Sequence, residues 1–217
     1  MCIVAEPRLY AIVDVDACEL KGYDITEFAR QICAARPGYV QLRAKHVSPR
    51  DTLELLRALV AVAHPYGIKV FGNDRPDLAL LSGADGVHVG QNDLSVSLAR
   101  KAAPGLLVGV STHDEAQLGD ALRERPDYVA FGPVFRTTSK ADAESCVGLS
   151  GLETASQLAR SANIPLVAIG GIDLERAQSV AKFADWIAVI SALFPASGRI
   201  EDVTAHVQAL TEAIHVD

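Results

Sequence analysis

The stretch IKVFGNDRPDLALLSGADGVHVG, residues 68–90, reads as strand, helix and strand in quick succession. IKVFGN (68–73) is a β-rich run, and GVHVG (86–90) is another. Between them PDLALLSG (76–83) reads as a short helix that Gly83 stops. The apolar residues of these strands come in continuous runs rather than strict alternation, as in strands covered on both faces. A helix joining two such strands makes them parallel neighbours.

The same unit recurs on both sides. Upstream are strands LYAIVD (9–14) and YVQLR (39–43), with helices ITEFARQICAA (25–35) and PRDTLELLRALVAVAH (49–64). Pro49 suits the first turn of the second of these helices. Downstream are strands LLVGVS (106–111), YVAFG (128–132), PLVAIGG (165–171) and WIAVIS (186–191). Helical patterns at 95–102, 114–124, 149–160 and 174–183 separate them, and a last helix runs near 200–214. Eight strand–helix pairs in 217 residues predict an α/β fold, a single-domain (β/α)8 TIM barrel over residues 1–217. A doubly wound sheet is the alternative, but no G-x-G-x-x-G turn follows the first strand.

Bulk composition narrows the function. The chain is 49% hydrophobic, which suits one substantial core, and its net charge of -7 gives no basic footprint for nucleic acid. No apolar run approaches the roughly 20 residues that span a bilayer, and MCIVAEPRLYAIVDVD does not read as a signal peptide, because Glu6 and Arg8 interrupt its short apolar run. Cys2, Cys18, Cys33 and Cys146 form no C-x-x-C pair, which argues against a zinc site or disulfide framework. The expectation is a cytoplasmic protein with reduced thiols, no membrane contact and no nucleic-acid partner.

Barrel sites form at the carboxyl ends of the strands. Strand two ends in Gln41, Arg43 and Lys45, on one face by period-two geometry. Strand three ends in Asn73 and Asp74. Strand four leads to His88, Gln91 and Asp93, strand five to Ser111, Thr112 and His113. Strand six runs into GPVFRTTSK (132–140), where hydroxyls are flanked by Arg136 and Lys140. Strand seven ends in Gly170 and Gly171, strand eight in Ser191. Asp74 and Asp93 suit Mg²⁺, which takes a few carboxylates together with phosphate oxygens. Arg43, Lys45 and Lys140 can neutralise a polyphosphate. Thr137, Ser139 and the Gly170–Gly171 amides suit a second phosphate. No nucleophile stands beside a base, so stabilisation of a leaving group is favoured over covalent catalysis.

Each residue has a plainer reading. Arg43 and Lys45 could be surface cations, and Asp74 could cap the helix beginning near Pro76. His88 reads as a packed, hydrogen-bonded histidine, and His113 as either solvent-facing or part of the rim. Phe183 and Trp186 read as core or interface.

In order along the chain, YVQLRAK (39–45), GNDRPDLAL (72–80), GADGVHVGQNDL (83–94), VGVSTH (108–113), DYVAFGPVFRTTSK (127–140), VAIGGI (167–172) and VISA (189–192) resemble the thiamine phosphate synthase family. The resemblance implies that an aminopyrimidine methyl diphosphate ionises, losing pyrophosphate, and that the nitrogen of hydroxyethylthiazole phosphate attacks the resulting cation. It implies Mg²⁺ on Asp74 and Asp93. The segment Gln41, Leu42, Arg43, Ala44 and Lys45, with Asn73, Ser111 and Lys140, would contact the pyrimidine diphosphate. Arg43, Lys45, Ser111 and Lys140 would be the catalytic groups. Thr137, Thr138, Ser139, Gly171, Ile190 and Ser191 would hold the thiazole phosphate. The chain departs from the family pattern at Ala44 (usually Glu), at Arg136 (often Pro), at Ser139 within the usual Thr-x-Thr-Lys, and at FADW (183–186), where GADG is common. A thiazole tautomerase on the same fold would need no diphosphate clamp, and its members carry His where this chain has Pro133. A non-catalytic phosphate-ligand sensor would need no metal pair. The partners expected are small molecules, with the chain a monomer or homodimer. The loop 134–148 is expected to order when substrate binds.

Overall fold

The structure is a computed structural model that describes residues 8–137 and 145–214. Eight parallel strands close into a barrel in sequence order: β1 Leu9–Asp14, β2 Tyr39–Arg43, β3 Lys69–Asn73, β4 Gly86–Val89, β5 Leu107–Thr112, β6 Tyr128–Phe131, β7 Leu166–Ile169 and β8 Trp186–Val189. β8 returns to pair with β1 through Leu9↔Ile187. The barrel reading therefore holds and the doubly wound alternative falls.

Helices cover the outside: α1 Val15–Lys21, α2 Ile25–Ala34, α3 Pro49–Ala63, α4 Pro76–Ser82, α5 Val96–Ala102, α6 Glu115–Arg123, α7 Gly148–Ala162, α8 Leu174–Ala181 and α9 Val203–Ile214. Several of their starts follow from short polar side chains that accept orphan N–H groups. Asp24 accepts from Glu27, Asp114 from Gln117 and Asp173 from Arg176. Ser48 does the same for α3, with Pro49 in the first turn.

The sequence reading has no counterpart to α1. Asp14 starts that helix by accepting from the Ala17 N–H at 2.8 Å, and Gly22 ends it in the left-handed region at φ +72°. Its seven residues bury only Val15 and Cys18, too little to leave an apolar period. Two strands are also shorter than the apolar runs. β7 stops at Ile169 because Gly170 and Gly171 turn to φ +101° and +64°. β8 stops at Val189, and Ser191 opens a 3-10 turn.

The core has two layers. Leu, Val, Ile and Ala side chains from the outward faces of the strands meet the helices, with Phe28, Leu56, Leu118 and Leu152 fully enclosed. Inside the barrel is an aromatic plug of Tyr10, Phe71 and Tyr128 with Ile12, Ala130, Val167, Ala188 and Ile190. Gly86 and Gly109 make room for it, since a Cβ there would lie 2.3 Å from Phe71 and 1.9 Å from Tyr128.

A recurring clamp joins odd strands to even ones. Asp85, Asp127 and Asp185 each stand one residue before an even-numbered strand. Each donates its N–H to a carbonyl near the start of the preceding strand and accepts that same residue's N–H on its carboxylate. The partners are Val70, Val108 and Leu166, with the carboxylate bonds all at 2.8 Å. In the first pair Gly38 donates to the Leu9 carbonyl and has no carboxylate to return the bond. Among the described residues no helix is long and apolar enough to cross a membrane.

Candidate active site

A cavity of about 550 Å³ opens at the carboxyl ends of the strands. Gln41, Arg43, Lys45, Asn73, Asp74, Asp93, Ser111 and Ile190 all line it. They come from β2, β3, β5 and the turns after β2, β3, β4 and β8, so barrel closure alone gathers them. The apolar wall is Ile12, Ala130, Val167, Ile169, Ala188 and Ile190.

One rim carries the charge. Arg43 ends β2 and its guanidinium donates to Asp14, its register partner on β1. Asp14 is 3% exposed, a buried carboxylate that pins Arg43 from below. Lys45 places its ammonium 2.5 Å from the Asp74 carboxylate. Asp74 does not cap α4: Arg75 holds the cap position, and no side chain bonds there. Asp74 instead adopts φ +61°, a left-handed conformation that Asp tolerates, with its N–H donating to the His88 carbonyl at 2.8 Å. Burial raises the Asp74 carboxyl above the ordinary range, and the neighbouring Asp93 raises it further against the opposing pull of Lys45. Asp93 also accepts from the Gly90 N–H at 2.7 Å, which fixes the turn after β4.

Two neighbouring carboxylates, with the Lys45 ammonium beside one of them, form a donor set suited to Mg²⁺. Among the described residues no group of three or more His, Cys, Asp or Glu is placed to hold a metal ion. A cation on Asp74 and Asp93 would keep its other positions for water or phosphate oxygens, as Mg²⁺ does. These residues fit the ion.

Inside the barrel runs a buried hydrogen-bond chain that sequence reasoning did not find. Gln41 Nε2 donates to the Tyr10 hydroxyl at 2.8 Å, and Tyr10 and Tyr128 hydroxyls are 2.9 Å apart. The Tyr128 hydroxyl is 2.9 Å from His88 Nδ1, and His88 Nε2 is 2.8 Å from Ser111 Oγ. Burial raises both phenols, so both stay protonated. One donor order satisfies every member: Gln41 to Tyr10, Tyr10 to Tyr128, Tyr128 to Nδ1, then Nε2–H to Ser111. His88 is then neutral, and the Ser111 hydroxyl hydrogen is the donor left for a ligand. His88 is thus packed and hydrogen-bonded, as its place in a strand suggests, while also facing the cavity. His113 lies at the rim, with Nδ1 2.6 Å from the Gly132 carbonyl.

The remaining sequence candidates lie elsewhere. Leu42 is 3% exposed and packs outward under the helices, and Ala44 packs against the same layer. Either could reach a ligand only through its backbone. Gly171 sits beneath the loop after β6: a Cβ would meet the Arg136 carbonyl oxygen at 2.6 Å and the Phe135 oxygen at 2.8 Å. Phe135 N–H donates to the Gly170 carbonyl, and Val134 N–H to Ile169. The neck of that loop is pinned, because Val147 and Gly148 donate to the carbonyls of Pro133 and Val134. Thr137 is half-buried at the end of the described loop, and Ser191 is exposed. Thr138, Ser139 and Lys140 lie outside the described residues, as do residues 141–144 of the loop expected to order.

Comparison with known proteins adds to this geometry. Residues 9–193 match the thiamine monophosphate synthase family. The thiamine-phosphate synthase of Chloroflexus aurantiacus is 38% identical over 214 residues, covering 98% of this chain and 95% of its own. That of Koribacter versatilis is 43% identical over 191 residues, covering 86% and 89%. The structure of thiamine phosphate pyrophosphorylase from Pyrococcus furiosus superposes with a TM-score of 0.83 at 31% identity, covering 96% of this chain and 95% of that one.

Proposed function

The chain belongs to the thiamine monophosphate synthase family, and from that premise we propose that it is a transferase making thiamine phosphate. It would join the aminopyrimidine methyl diphosphate to hydroxyethylthiazole phosphate and release pyrophosphate. The observation that carries the reading is the single charged rim, where Arg43 and Lys45 stand beside Asp74 and Asp93 above a cavity with an apolar wall.

In this reading the chain binds diphosphate at the rim and the two rings below it. Arg43, held by Asp14, offers the rest of its planar fork to phosphate oxygens. Lys45 reaches the diphosphate by releasing Asp74. Mg²⁺ on Asp74 and Asp93 would offset the charge on the departing pyrophosphate. Gln41 and Asn73 orient the pyrimidine, with Gln41 fixed by Tyr10. Ser111 directs its hydroxyl hydrogen toward the diphosphate, because His88 occupies its acceptor side. Lys140 follows the negative charge as the bond to oxygen breaks. Thr137, Thr138, Ser139, Gly171, Ile190 and Ser191 hold the thiazole phosphate, with Leu42 and Ala44 contributing backbone only. The apolar wall keeps water from the pyrimidinylmethyl cation.

The test is direct. Purified protein, Mg²⁺ and both substrates should yield thiamine phosphate by chromatography, and Asp93→Ala and Lys140→Ala should lose at least about a hundredfold in rate. No product from folded wild-type protein would overturn the reading. The thiazole carboxylate phosphate would then be assayed for tautomerisation, and ligand binding without turnover would point to a sensor.

A further inference from the structure

A second cavity, of about 300 Å³, lies at the opposite end of the barrel. Tyr39, Lys69 and Trp186, the first residues of β2, β3 and β8, line it together with Arg36, Gly38 and Tyr66. It is remote from every residue assigned above to phosphate or metal. The amino-terminal end of such a barrel ordinarily serves stability, and the Tyr39–Trp186 pair could be read as a plug. The rings are stacked, with centroids 3.9 Å apart and planes 12° from parallel.

The charges argue for more than a plug. The Arg36 guanidinium lies 5.8 Å from the centre of the Tyr66 ring, and Lys69 is exposed on the same wall. Neither has a carboxylate partner among the described residues. The nearby carboxylates are engaged, Asp185 by the Leu166 N–H and Asp85 by His64 and the Val70 N–H. In a chain of net charge -7, two cations with no carboxylate partner among the described residues, beside three aromatic rings and a cavity, are a selective combination. Rings offer faces for stacking, and Arg and Lys take an anion. The volume suits a small ligand. We propose that this cavity binds a planar heteroaromatic ring bearing a phosphate or carboxylate. The ring would pack among Tyr39, Tyr66 and Trp186, and the anion would be held by Arg36 and Lys69.

Trp186 is the single tryptophan of the chain, so its emission reports on this cavity alone. The full-length protein would be titrated with adenosine 5′-monophosphate, with adenosine, and with inorganic phosphate. The expected result is a saturable change in emission with the nucleotide, and binding at least tenfold weaker for adenosine and for phosphate. The double variant Arg36→Gln/Lys69→Gln, melting as wild type, should bind the nucleotide at least tenfold more weakly. Arg43→Ala, altered at the other end of the barrel, should keep the response. No saturable change at millimolar nucleotide would overturn the proposal. So would an equal response to phosphate, retention in the double variant, or loss in Arg43→Ala.

Discussion

Arg43 and Asp14 face one another as register partners across β1 and β2, and the guanidinium donates to the carboxylate. Asp14 thus serves two elements, since its other oxygen caps α1 through Ala17. Asp14→Asn keeps an acceptor for the cap and removes the charge that aims Arg43. Breaking one side of a buried ion pair costs about 3–5 kcal/mol when the other charge stays enclosed. Arg43 is 15% exposed and can partly turn to solvent, so a loss of about 2 kcal/mol is expected in urea unfolding. kcat/KM for the pyrimidine diphosphate should fall about a hundredfold, because a misplaced clamp loses orientation.

Asp74 predicts an opposition between stability and metal. Its carboxyl is raised by burial and by Asp93, so the folded protein holds the proton more tightly than the unfolded chain. The stability linked to that proton is fully present below the ordinary carboxylate pKa and is lost as pH rises through the raised value. At neutral pH in chelator, Asp74→Asn should therefore melt higher than wild type, by about 2 °C. The difference should vanish at acid pH. Added Mg²⁺ should raise the melting temperature of wild type and leave Asp74→Asn unchanged. If the variant melted lower in chelator, the charge pair with Lys45 would outweigh the cost of burial.

Tyr128 is the middle of the buried chain. Tyr128→Phe leaves the Tyr10 hydroxyl hydrogen and His88 Nδ1 without their partner in that chain. Each such loss costs about 1–3 kcal/mol. With Nδ1 of His88 no longer accepting from Tyr128, the Ser111 hydroxyl loses its fixed direction. The expected result is a drop in kcat of about tenfold with little change in KM for the thiazole phosphate, read from steady-state kinetics. Ser111→Ala should then add little on top of Tyr128→Phe, which a double-mutant cycle would measure.

Gly171→Ala addresses the loop after β6. At φ +64° a Cβ costs about 1–2 kcal/mol in backbone strain, and here it also meets two carbonyl oxygens under 3 Å away. The loop must lift from β7. KM for the thiazole phosphate should rise at least tenfold while KM for the pyrimidine diphosphate stays within about twofold. Equal effects on both would place the loop over the diphosphate instead.

The sequence carried the barrel because the strands are short, mostly apolar runs and helices such as α2, α3, α6 and α8 carry their own start signals. It carried Gln41, Arg43, Lys45, Asp74, Asp93 and Ser111 to one cavity because parallel strands align their carboxyl ends. What it hid has a common cause, partners far apart in the chain. Tyr10 and Tyr128 are separated by 118 positions, and nothing local marks either as polar-bonded. Asp14 did leave a signal, as the residue ending the first strand, but an Asp before a helix reads equally as a cap, and here it is both. Leu42 and Ala44 came along with a contiguous motif whose alternate side chains turn the other way.

Asp85, Asp127 and Asp185 bear on how the molecule could be rebuilt. The wall is periodic in twos, with three doublets each closed by a carboxylate and a first doublet closed at Gly38 by backbone alone. Chain breaks are best tolerated where they leave such doublets whole. A circular permutant opened at exposed Gly105, between the second and third doublets, keeps every clamp within a continuous segment. One opened between β3 and β4 makes Val70 and Asp85 find each other from opposite ends of the chain, and should fold more slowly for that reason.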